Sequence, residues 1–201
     1  MRIIFIILFL IIVIGFVGSA TYFLFEEKIT YTTPKTPKIQ VNKIDNSVKL
    51  VDFYKVNPEF LFSAEIPKEF EVEYISKLKA INIYSANLPG ENNIEKSQVY
   101  ISFFKASKFL TLGTVEITQQ DKITVKERQA ILYEITKKDE ASNFSGQPNW
   151  RNFKHKALDI RLTENSPSYF YSFAYNPNLS EEIFNNIIGS LVFYFNEQFT
   201  D

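Results

Sequence analysis

Histidine is the usual general base of nucleophilic triads and a common metal ligand, and this 201-residue chain has one, His155. It stands in an alternating stretch in which Leu158, Ile160 and Leu162 share one side and Ala157, Asp159 and Arg161 the other. Period-two parity puts His155 with Asp159 and Arg161, so it is expected on a solvated strand face, not in a site. The chain has no cysteine, which excludes thiol catalysis, lipid attachment to cysteine and thiolate zinc sites. A hard-cation site would then need clustered carboxylates. The pairs Glu26-Glu27, Asp139-Glu140 and Glu181-Glu182 are isolated, and no D-x-D-x-D-G loop occurs. Phosphate-cradling glycine loops and the G-x-S-x-G elbow are missing as well. No catalytic, cofactor-binding or metal-ligating set is expected, and the chain reads as non-enzymatic.

Two residues remain as candidates for recognition. Trp150 is the single tryptophan; it follows the loop Gly146-Gln147-Pro148-Asn149 and precedes Arg151. Tryptophan and arginine dominate interface hot spots, so Trp150 and Arg151 are candidate partner contacts. The competing reading is that Trp150 packs over the edge of the core. Tyr169, Tyr171, Phe173 and Tyr175 share one strand face, with Phe170 on the other. Such a stripe would stack nucleic-acid bases only with interleaved basic residues, which it lacks. The net charge of -1 gives no electrostatic reason for nucleic acid either. Asn143-Phe144-Ser145 and Asn178-Leu179-Ser180 match the glycosylation sequon, which matters only in a eukaryotic secretory route.

The elements that carry these residues follow from periodicity. Phe60, Phe62, Ala64 and Ile66 alternate, Pro67-Lys68-Glu69 interrupts, and Phe70, Val72 and Tyr74 resume, which predicts a hairpin around a proline turn. Ile81 and Ile83 mark a short strand before the turn Asn87-Leu88-Pro89-Gly90. Val99, Ile101 and Phe103 form the next. Leu110 to Ile117 and Ile123 to Val125 flank the polar tetrad Gln119-Gln120-Asp121-Lys122. Ala130 to Ile135 is a strand, 137–149 a loop, Leu158 to Leu162 a strand. Asn165-Ser166-Pro167 turns the chain into Tyr169 to Tyr175. Ser180 is suited to cap a helix whose first turn carries Glu181 and Glu182. Phe184, Ile187, Ile188 and Leu191 hold the i, i+3, i+4, i+7 spacing, Gly189 ends the helix, and Leu191 to Phe195 reads as a last strand. The expected class is α+β: one antiparallel β-sheet packed with a C-terminal helix.

The N-terminus says where this domain works. Ile3 to Phe25 carries no charged side chain, and its 23 residues would make a helix of roughly 34 Å, against a hydrocarbon core of roughly 30 Å. Residues 1–25 are thus a single-pass transmembrane anchor or a signal peptide, with Gly18-Ser19-Ala20 offering a cut after Ala20. Tyr22 to Phe25 continue the apolar run past that cut, which favours the anchor. Arg2 before the run and Glu26-Glu27 after it place the N-terminus in the cytoplasm and the rest outside. Residues 26–50 are expected as an extended linker, with Pro34 and Pro37 stiffening it. Residues 51–201 are the extracytoplasmic domain.

The order of pieces resembles the PsbP/Mog1-like fold: an aromatic-rich strand, a proline and a second strand, here Phe60 to Pro67 then Phe70-Glu71-Val72. It closes with a hairpin and a short helix leading into a strand, here Tyr169-Phe170-Tyr171 then Phe184 to Phe193. Related domains often carry a glycine in the turn where Glu127-Arg128 stand here. The resemblance implies no enzyme activity, no cofactor and no site residue; it implies a binding or assembly module. The expected function is therefore a membrane-anchored, extracytoplasmic, non-enzymatic binding or assembly module. It would touch the membrane through residues 3–25 and meet an envelope protein, not nucleic acid. The alternative is an exported small-ligand carrier or hydrolase with a pocket between helix and sheet.

Overall fold

The computed structural model describes residues 47–106, 113–163 and 168–194. The expected membrane span, the cut after Ala20, residues 26–46 of the linker, Leu110, the Asn165-Ser166-Pro167 turn and Phe195 lie outside them. Among the described residues no helix is long and apolar enough to cross a membrane.

Two antiparallel sheets replace the single one expected. The smaller holds β1 (Val48–Asp52), β2 (Phe62–Pro67) and β10 (Val192–Phe193), in the order β1-β2-β10. The larger holds β3 (Phe70–Ile75), β4 (Ala80–Ser85), β5 (Ser97–Ala106), β6 (Val115–Val125), β7 (Arg128–Lys137), β8 (His155–Arg161) and β9 (Ser168–Tyr175). Its order is β3-β4-β5-β9-β8-β7-β6. A one-turn helix, α1 (Phe53–Val56), follows β1, and α2 (Glu181–Gly189) precedes β10. β1 starts at Val48, inside the stretch expected as linker.

The predicted hairpin between the first two aromatic segments does not form. β2 is flanked on both sides, by β1 with Val51 opposite Ala64 and by β10 with Phe193 opposite Phe62. It has no free edge for β3, which pairs with β4 instead, Val72 opposite Ile83. The Pro67-Lys68-Glu69 turn thus passes the chain from one sheet to the other. Nor does the tetrad Gln119–Lys122 break a strand. β6 runs through it, with a register shift between Ile117 and Gln119. As the outermost strand it is exposed from Glu116 to Thr124 and needs no apolar alternation.

The core lies between the sheets. The inner face of the large sheet presents Ile81, Ile101, Leu158, Ile160 and Phe173, closed by Phe62, Ala64 and Ile66 of β2 and by Phe184, Ile187 and Ile188 of α2. The α2 face has the spacing its sequence predicts. Phe184 stacks on Tyr175 with ring centroids 3.9 Å apart, so side chains fill the space between helix and sheet. Ser180 holds the N-cap position without a side-chain bond, and Gly189 is the last helical residue. Tyr171 is the polar tie within this core. Its hydroxyl accepts from the Leu61 N–H and donates to the Glu59 carbonyl, each at 2.7 Å. Burial pushes that hydroxyl well above the ordinary tyrosine range.

The β6–β7 turn shows what the missing glycine costs. Lys126 and Glu127 both adopt left-handed backbone, φ 48° and 66°. Two-residue hairpins require this conformation, which glycine or asparagine takes with least strain.

Candidate functional site

Strand register places a second row of side chains on the outer face of the large sheet. Tyr100 lies opposite Ala174, Ala174 opposite Ala157, and Ala157 opposite Tyr133. Two alanines between two tyrosines leave a trough. The segment joining β7 to β8 lies over it. Trp150 and Phe144 pack against the cluster that contains Ala157, Ala174, Tyr133 and Ile135. The Trp150 indole N–H donates to the Ser97 carbonyl at 3.0 Å. A turn of 3-10 helix, Asn149–Asn152, sets these side chains in place, and the Asn152 side chain accepts from the Phe144 N–H at 2.9 Å.

This cover corrects the expectation for His155. Parity put it on the correct side, with Asp159 and Arg161, but that side is not solvated. His155 is 3% exposed and Asp159 fully buried. His155 Nδ1 lies 2.8 Å from the Phe153 carbonyl and must carry the proton to donate to it, which leaves Nε2 as a buried lone pair without a hydrogen-bond partner. The ring meets the Trp150 indole edge-on at 5.5 Å. Burial lowers its pKa to about 4; the Phe153 carbonyl opposes this shift and the Arg151 charge adds to it. His155 is therefore neutral at pH 7, a packing residue with its proton donated to backbone.

Arg151 sits half-buried over the Tyr100 ring, 5.2 Å from its centroid, a cation–π contact. Burial pushes the Tyr100 hydroxyl up to about 12, against the opposing pull of Arg151. Burial, and then the charge of Asp159, push Tyr133 upward as well. Burial lowers Arg151, with Tyr100 and Asp159 opposing. Trp150 and Arg151 are thus brought together on the sheet, each with part of its surface turned to the domain. Phe153, one residue beyond the 3-10 turn, is 62% exposed.

Beside this cover lies an open groove of about 610 Å³, between the β4–β5 loop and the β7–β8 segment. Pro89, Gly90, Glu91, Asn92 and Glu95 line one side; Asn143, Phe144, Gln147, Asn149 and Asn152 line the other. Topology explains the meeting. β5 and β8 each run antiparallel to β9, so their first residues, and the loops that lead into them, lie at the same end of the sheet. Both walls are tied down. Asn93 donates to Glu73 Oε2 at 2.9 Å, and Asn82 donates to the Asn93 carbonyl and to Glu73 Oε1, each at 3.0 Å. The Glu95 N–H donates to the Asn92 side chain at 3.2 Å, closing the turn. A Cβ on Gly90 would stand 3.1 Å from Glu95 Cβ, so the glycine fits a tight wall. Gln147 Oε1 is buried and has no hydrogen-bond partner.

Sequence reasoning placed both loops but not the groove. Its one available signal was that Glu91-Asn92-Asn93 and the Asn143–Asn152 stretch are both rich in carboxamides. Among the described residues no cluster of three or more His, Asp or Glu side chains is arranged to hold a metal ion.

Comparison with known proteins gives distant likeness only. No family model and no curated protein sequence matches this chain. Among solved structures the chain is similar to cyanobacterial PsbP (CyanoP) from Synechocystis sp. PCC 6803. The two share 10% identity with a TM-score of 0.42, over 77% of this chain and 96% of that one. It is also similar to a crystal structure from Bacteroides thetaiotaomicron VPI-5482, at 11% identity and a TM-score of 0.41, over 75% of this chain. The chain spans about half (49%) of the length of that protein.

Proposed function

We propose that this chain is a membrane-anchored, extracytoplasmic, non-enzymatic binding or assembly module of the PsbP/Mog1-like kind, and that it binds at the groove end of the large sheet. The carrying observation is the groove, whose two walls are fixed to the sheet by side-chain hydrogen bonds before any ligand arrives. Pre-ordered walls spare a ligand the entropy of ordering them. Exposed Phe153 beside Trp150 and Arg151 extends the surface available to an envelope protein. The apolar run Ile3–Phe25 supports the tether, and the charges around it support residues 26–201 lying outside. The PsbP/Mog1-like reading rests on the order of segments, from the Phe60–Pro67 strand to the closing α2–β10 pair. The carrier or hydrolase reading needs a cavity under α2, where Phe184 and Tyr175 stack instead.

Two experiments test this. Carbonate washing should leave the chain in the membrane and detergent should release it; release by carbonate alone contradicts the anchor. The full chain isolated from detergent extracts should retain a stoichiometric envelope component, and a variant with Asn143→Arg should lose it. Recovery of the chain alone, repeatedly, contradicts the module.

A further inference from the structure

The groove lining favours one ligand chemistry, an inference that rests on the binding reading and names its ligand. Seven of the ten lining residues end in a carboxamide or a carboxylate, and none is basic. Carboxamides offer a donor and an acceptor in one plane, and carboxylates offer paired acceptors. Vicinal hydroxyls match both. Phe144, the one aromatic, supplies an apolar surface for C–H groups. Glu91 and Glu95 repel phosphate and other anions. The walls are loops and a 3-10 turn, so they offer no strand edge to which an extended peptide could add. The volume, about 610 Å³, falls within the range of roughly 300–1,000 Å³ typical of small-ligand sites.

We propose that the groove binds a neutral polyhydroxylated chain, an uncharged oligosaccharide segment of a glycan. The exposed amides of Asn143 and Asn149 would hydrogen-bond its hydroxyls, and Phe144 would lie against a sugar ring.

The test uses the full chain in a polyoxyethylene detergent, whose head group contains no sugar. It is titrated calorimetrically with chitotetraose, with cellotetraose and with tetralysine. At least one tetrasaccharide should bind saturably, and Asn149→Ala should weaken it about fivefold, the loss of roughly one hydrogen bond. Asn143→Arg should weaken it further, and Lys126→Ala, at the exposed β6–β7 tip on the opposite end of the sheet, should leave it unchanged. Unaltered thermal unfolding of each variant shows that the fold is kept. Failure of both tetrasaccharides to bind overturns the proposal, as does binding that neither groove variant affects. Tetralysine binding that the groove variants abolish also overturns the glycan class, yet leaves the binding module standing, since the extract experiment reads that separately.

Discussion

The two faces of the large sheet are built from the same strands and do opposite work. Its inner face is apolar: Phe173 and Ile160 pack with Phe62 and Ile66 in one buried cluster. Its outer face carries Tyr100, His155 and Asp159 beneath a covering segment that includes Arg151, with polar atoms such as His155 Nε2 and Arg151 Nε left without hydrogen bonds. Apolar packing stabilises in proportion to apolar area removed from water, whereas unpaired buried polar groups cost stability. The inner face therefore holds the domain together. The outer face is where the fold tolerates cost, and it ends in the groove.

That contrast can be broken in graded steps. Phe173→Ala on the inner face should cost about 3–5 kcal/mol, the range for truncating a buried aromatic, measured by urea unfolding; a loss as small as that of Trp150 would erase the distinction. Trp150→Ala on the outer face should cost less, about 2–3 kcal/mol, because the ring is half-buried. Hydrogen exchange should then speed up in 138–154 while β5 and β9 stay protected. If the core strands open equally, the cover belongs to the core.

His155 gives the outer face its own pH signature. Its folded pKa, about 4, lies below the ordinary 6.5, so the unfolded chain binds the extra proton first. The neutral-state stability is complete above pH 6.5 and is lost as pH falls from 6.5 towards 4. Unfolding free energy should drop by about 2 kcal/mol from pH 7.5 to pH 5. His155→Gln should flatten that slope, and an unchanged slope would show that the ring is solvated after all. The smallest expected effect is a gain. Glu127→Gly relieves left-handed backbone at the exposed β6–β7 tip and should add about 0.5–1 kcal/mol, read as a raised melting temperature.

Local pattern foretold what local pattern controls. The spacing of Phe184, Ile187 and Ile188 gave α2, and parity gave His155 its side of β8. What sequence could not supply was non-local. Nothing near Pro67 reveals that β2 is already flanked by β1 and β10, so the expected hairpin became a crossing between sheets. The polar run Gln119–Lys122 reads as a gap between two apolar segments until its strand proves to be an edge. His155 looked solvated because 137–149 reads as loop, and a loop's sequence does not announce that Trp150 will settle into an alanine trough. The groove needs two loops, some fifty residues apart, brought together because β5 and β8 share a direction.

The most direct test of binding at the groove end is site-specific photocrosslinking of the full chain in its own membrane. A benzophenone side chain at Asn143, on the groove, is compared with one at Glu182, exposed on α2. The account predicts a discrete crosslinked product from Asn143 and none from Glu182. A product from Glu182 alone, or from neither position, would contradict it.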